Sequence, residues 1–252
     1  MTEELIQADF DRRQLLKAAG ISVGSLALGG ILAGCGGSGT SSLSSNMDST
    51  ILGAAKIAEA LATTMYTGII NGPIYTSLAG NAPDQNYLTA ARDEEMYHYN
   101  LLKSNTGNTD AQTTYYFPTG MFTNPTTTMN TLVTLEEAFI AAYMIGVSTF
   151  STSALKVLAA QIMGVEAEHR VLARIIANDL GLSTTTGLSG SPESVTPSNN
   201  SIYESTFGLS QISQVVTALT PFLSQSSTNS VAATFNPAYV PTTQNLYGNP
   251  PS

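Results

Sequence analysis

The chain has 252 residues, 42% of them hydrophobic, enough for one large domain or two small ones with a sizeable core. Charged residues make up only 11% and the net charge is -9, which excludes nucleic acid and anionic membrane surfaces as expected partners, since both require clustered Lys and Arg. A single cysteine excludes an internal disulfide and a thiolate metal site.

Residues 1–35 read as a secretion signal rather than as part of a fold. Arg12 and Arg13 precede a Gly-rich apolar run from Ala18 to Gly34, which ends in "LAGC" at Cys35. The arginine pair, continued through Lys17, resembles the twin-arginine signal, and "LAGC" resembles the lipobox of bacterial lipoproteins. That resemblance implies lipidation at Cys35, a lipid anchor to a membrane, and a periplasmic or cell-envelope location. Cleavage without lipidation is the alternative. Loss of residues 1–34 would leave six basic and fourteen acidic residues, so the positions of the acids are informative. Residues 36–48, "GGSGTSSLSSNMD", read as a Gly/Ser tether.

Four helical segments follow, with apolar residues three and four apart. The first is expected from Ser49 to Asn71, stopped by Gly72 and Pro73. A second begins near Asp84, a plausible N-cap, and runs to about Ser104 before "NTGN". The third spans Met129 to Ile145. The fourth runs from Ser153 to Asp179, with Gly181 as its C-terminal stop. No sustained strand alternation is evident from 49 to 181. Short links make segments one and two, and three and four, antiparallel neighbours, while residues 105–128 form one long crossover between the pairs. The expected architecture is therefore all-α: a four-helix bundle over 49–181, then a largely irregular polar tail, 182–252, with a packing helix near 209–224.

Both histidines occupy the same local setting. Glu95 precedes His98 by three residues, and Glu166 precedes His169 by three. On a helix, positions i and i+3 share a face, so each pair can aim a carboxylate and an imidazole at one point. The other two segments supply single carboxylates, Glu59 seven residues before Tyr66 and Glu136 seven before Tyr143. The chain thus reads twice as Glu, Tyr at plus seven, then Glu-x-x-His on the next helix, and this repeat favours Glu136 over Glu137 as the inward residue. At about 1.5 Å of rise per residue, Glu59 and Glu95 fall at nearly the same height, and Glu136 and Glu166 at similar heights.

Four buried carboxylates must protonate or find cations. Two divalent metals would balance them, with His98 and His169 completing the shells, and Glu59, Glu95, Glu136 and Glu166 are the candidate catalytic residues. Oxygen and imidazole donors suit iron or manganese and permit zinc. The simpler reading of any single Glu-x-x-His is a surface ion pair. Tyr66 and Tyr143 are expected in the core, hydrogen-bonded near the site, with a redox or proton-relay role as the alternative. Asp93, Glu94 and Glu168 are expected to face solvent.

On "ARDEEMYHYNLL", "FPTGMFTNPTTTMNTLVTLEEAFIAAY" and "GVEAEHRVLAR", the sequence resembles the ferritin-like superfamily, and more closely the exported bacterial ferritin-like proteins of the desiccation-related type. "YESTFGLSQISQVVTALTPFL" resembles the tail that follows their bundle, which extends the likeness over residues 49–225. The resemblance implies that Glu95 and Glu166 bridge two metals, with Glu59 and His98 completing one site and Glu136 and His169 the other. It implies two metal ions, iron first, with oxygen or peroxide as co-reactant, an external electron donor because no rubredoxin-like cysteine pair is present, and a homodimer as the possible assembly. Two functions remain open: Fe(II) oxidation or oxidant scavenging, and a non-enzymatic stress-related envelope protein with a structural metal.

Overall fold

The structure is a computed structural model that describes residues 40–106, 112–195 and 207–241, with side chains from Met47 onward. Arg12, Arg13 and Cys35 lie outside the described residues. Four long helices form the bundle: α1 (Thr40–Ile70), α3 (Ala82–Thr106), α4 (Pro125–Thr149) and α5 (Ser153–Asp179), with a one-turn helix α2 (Pro73–Ser77) after α1. α1 packs most extensively on α3, and α4 on α5, so the two hairpins expected from link lengths are the building units.

The sequence sets most of the ends. Asn124 caps α4, its side chain accepting from the Thr127 N–H at 3.0 Å, and Pro125 follows with φ already helical. Thr152 caps α5 in the same way through Leu155. Gly181 has φ of 81°, the left-handed conformation that closes a helix at least cost in glycine, and the Leu182 N–H returns to Ala177 O at 2.9 Å. α5 therefore occupies Ser153–Asp179 as expected.

Several boundaries differ. α1 continues back to Thr40, so the expected tether over 36–48 is partly helix; no Gly or Pro interrupts residues 40–48. Asp48 is buried and its carboxylate accepts from the Ser151 N–H at 3.0 Å, which pins α1 to the α4–α5 link. α3 starts at Ala82, placing Asp84 within the first turn, buried beside Asp179, instead of at the cap. α4 is longer than Met129–Ile145 at both ends, because Pro125 is a first-turn residue and Phe150 ends the helix.

α4 is long and apolar enough to cross a membrane, yet most of its surface is buried inside the bundle, as befits the central helix. Core side chains include Leu61, Met65, Ile69, Met96, Leu132 and Ile140, all at most 1% exposed.

The crossover contains a strand that the sequence reading omits. β1 (Thr114–Pro118) pairs antiparallel with β4 (Asn229–Thr234), from Thr114 opposite Thr234 to Pro118 opposite Asn229. Tyr115 and Phe117 point inward and are fully buried. Three successive aromatics hide that alternation in the sequence. The tail is likewise more structured than expected: β2 (Thr184–Thr186) and β3 (Pro192–Ser194) form a small hairpin, and α6 (Ile212–Leu219) continues into a 3-10 turn at Thr220–Phe222. Crossover and tail both pack on the bundle, with Tyr115 Oη donating to Ile57 O and Phe235 packed edge-on against Tyr99.

Candidate metal centre

Glu59 on α1, Glu95 and His98 on α3, Glu136 on α4, and Glu166 and His169 on α5 converge at mid-bundle, each at most 5% exposed. Their donor atoms form two groups: Glu59, Glu95, His98 and Glu166, and Glu95, Glu136, Glu166 and His169, with the donors of each group within 4.8 Å of one another. Glu95 and Glu166 belong to both.

The shared carboxylates divide their oxygens between the halves. His98 Nδ1 lies 3.5 Å from Glu95 Oε2, 3.3 Å from Glu166 Oε1 and 3.5 Å from Glu59 Oε2. His169 Nδ1 lies 3.1 Å from Glu95 Oε1, 3.3 Å from Glu166 Oε2 and 3.8 Å from Glu136 Oε2. Each of the two central carboxylates therefore presents one oxygen to each imidazole. The i, i+3 spacing makes this possible, because Glu and His leave the same helix face one turn apart.

The two tyrosines cross the pseudo-symmetric site. Tyr66 on α1 donates to Glu136 Oε1 on α4 at 2.6 Å, while Tyr143 on α4 donates to Glu59 Oε1 on α1. Each single carboxylate thus has one oxygen held by a phenol and the other aimed at the centre. The seven-residue spacing that marks the repeat places each Tyr two turns from its own Glu, level with the carboxylate of the opposite helix.

Burial and mutual charge shift the titration of most of the cluster. Burial raises the Glu59 carboxyl well above its ordinary range, and the charges of Glu166 and Glu95 add to this against the pull of His98. Glu136 is raised by burial and by Glu95 and Glu166, with His169 opposing. Burial also opposes ionisation of Glu95, but His169 and His98 beside it outweigh that and hold it below the usual carboxylate range. Burial disfavours both imidazolium ions; the facing carboxylates of Glu166, Glu59 and Glu95 nonetheless raise His98, and those of Glu166, Glu94 and Glu95 raise His169. Burial, then the carboxylates, keep Tyr66 and Tyr143 as neutral donors.

Donor chemistry and orphaned atoms both fit metal ions. Glu59 Oε2, Glu95 Oε2, His98 Nδ1, Glu136 Oε2 and Glu166 Oε1 are buried without a hydrogen-bond partner, and all belong to the cluster. Buried polar atoms are rarely left so, and here they face one another. Hard oxygen and imidazole donors without sulfur are what divalent iron or manganese takes, with zinc permitted.

Two expectations about neighbouring acids are corrected. Glu94 is not simply solvated: its Oε2 lies 2.8 Å from His169 Nε2, so it holds the ring with Nδ1 turned inward. Its partner sits on another helix, which no local spacing reveals. Asp93 is buried, bonded to the Tyr239 hydroxyl, whose ring also lies under Arg92. Glu168 is exposed, as expected.

Glu137, set aside in favour of Glu136, is also buried, but it belongs to a different network. Its Oε1 accepts from Arg170 Nε at 2.8 Å and its Oε2 from the Leu188 N–H at 2.8 Å, while Arg170 Nη2 reaches Glu193 at 2.7 Å. A signal existed: Glu137 follows Glu136 as Arg170 follows His169, so each inward residue has a neighbour on the same adjoining face.

A family model for the ferritin-like domain matches residues 47–179. No curated protein and no solved structure matches the chain. The matched span takes in α1 from Met47 onward, the other three bundle helices and every residue of the carboxylate–imidazole cluster. Because it covers more than half of the chain, the protein belongs to the ferritin-like domain family.

Proposed function

We propose that the protein is an exported metalloprotein whose cluster holds two iron ions and oxidises Fe(II) with oxygen or peroxide, protecting the cell envelope from oxidants. The division of Glu95 and Glu166 between the two imidazoles supports this reading most strongly, since it suits two cations side by side. In it, Glu59 and His98 hold one ion, Glu136 and His169 the other, and Glu95 and Glu166 reach both. Iron, when bound, supplies electrons one at a time to the oxidant. The tyrosine hydroxyls fix the outer carboxylates and keep a proton within reach of each. No cysteine pair is available for a second redox centre, so turnover as a peroxidase needs an external donor. Arg12, Arg13, the apolar run and Cys35 support the export and lipid anchoring.

A second reading is a non-enzymatic envelope protein in which the metal only stabilises the bundle. The polar tail favours it, because the Arg170–Glu193 ion pair and the hydrogen bond from the Leu188 N–H to Glu137 tie that tail to the helices.

Elemental analysis after anaerobic reconstitution, followed by Fe(II) oxidation under oxygen and under peroxide, separates them. The first reading expects two metals per chain and oxidation above background, with both lost in Glu95→Ala. Two metals without oxidation leave the structural reading; fewer than one metal per chain removes both.

A further inference from the structure

A cavity of about 50 Å³ adjoins the Glu59–His98 half of the centre without touching its ligands. Ala55 and Ala58 of α1, Ala142 and Tyr143 of α4, and Ile212 and Val216 of α6 are among its walls. Every other lining side chain is aliphatic apart from Phe150, and none is charged. Tyr143 carries the sole polar side-chain atom of the lining, and that hydroxyl is already donated to Glu59.

A water molecule needs two to four polar partners to stay in such a space, and these walls offer almost none. The room is real: alanines at 55, 58 and 142 leave open what leucines would fill. At roughly 10–15 Å³ per water-sized sphere, the cavity takes about four such spheres, comparable to a short run of methylenes. α6 closes one side with Val215 and Leu219 buried beneath it, and Tyr143 links the wall to Glu59 through its hydroxyl.

We infer that this cavity binds the alkyl end of a small uncharged amphiphile, seating it against the Tyr143 ring one hydrogen bond away from Glu59. The absence of charge in the lining selects a neutral ligand, and the capacity selects a chain of a few carbons over a whole lipid tail.

Isothermal titration of the metal-free protein with n-alkanols from ethanol to octanol tests this. Saturable binding at one site is expected, with affinity rising about fourfold per added methylene, the factor that corresponds to about 0.8 kcal/mol per buried CH₂, and levelling once the chain outgrows the cavity. Ala55→Leu and Val216→Trp narrow the space from opposite walls and should each weaken binding at least about tenfold while circular dichroism and metal stoichiometry stay at wild-type values. Non-saturable uptake, or chain-length dependence that neither substitution alters, overturns the inference. Because the two substitutions lie on different helices, and Val216 is half-exposed, misfolding of one leaves the other decisive.

Discussion

Glu94→Ala should weaken one of the two metal-binding steps and spare the other. His169 Nε2 meets Glu94 at 2.8 Å, whereas the carboxylates around His98 are all met through Nδ1. Among the described residues, therefore, only the His169 half has a carboxylate that orients its imidazole from behind. Loss of such a partner typically costs 10–100-fold in metal affinity, about 1.4–2.7 kcal/mol. The Glu94 side chain is 35% exposed, so solvent screening puts the expected effect near the lower end, about tenfold. Calorimetric titration with Mn(II), which avoids oxidation, resolves the steps. One step should shift by about tenfold and the other by less than about twofold, and Glu94→Asp should recover part of the loss. Equal weakening of both steps, or of neither, would refute the assignment of Glu94 to one half.

Tyr143→Phe removes a buried hydrogen bond to Glu59 and should destabilise the metal-free protein by about 1–3 kcal/mol in urea unfolding, and Tyr66→Phe should do the same through Glu136. Gly187→Ala would drive a methyl group onto the Glu137 carboxylate and displace it from Arg170; a loss of about 1–3 kcal/mol is expected by the same measurement, with metal stoichiometry retained. Metal loading should release protons, because Glu59, Glu136, His98 and His169 all hold their protons to higher pH than free side chains do and a metal ion competes for the same atoms. Affinity should then rise as pH rises and fall on acidification, and pH-independent binding between about pH 6 and 8 would contradict this.

The ligand set was legible in the chain because helical geometry converts spacing into direction. Glu95 with His98, and Glu166 with His169, lie one turn apart, and a one-turn relation is local enough for sequence to fix. The repeat with Glu59, Tyr66, Glu136 and Tyr143 was legible for the same reason, as were the Ser153 start and Gly181 stop of α5. Long-range partners were not. Glu94 reaches His169 across 75 positions, and Asp93 reaches Tyr239 across 146, so their burial depends on which helices and tail segments become neighbours. β1 was missed because strand pairing with β4 is decided more than a hundred residues away, while its three aromatics look the same on either face. The sequence by itself determined four amphipathic helices and an inward Glu-x-x-His on two of them. Only the tertiary structure decided that Glu95 and Glu166 split their oxygens between the imidazoles, that each tyrosine serves the opposite helix, and that an alanine-lined cavity lies beside Tyr143, since each depends on distances between helices that no local period encodes.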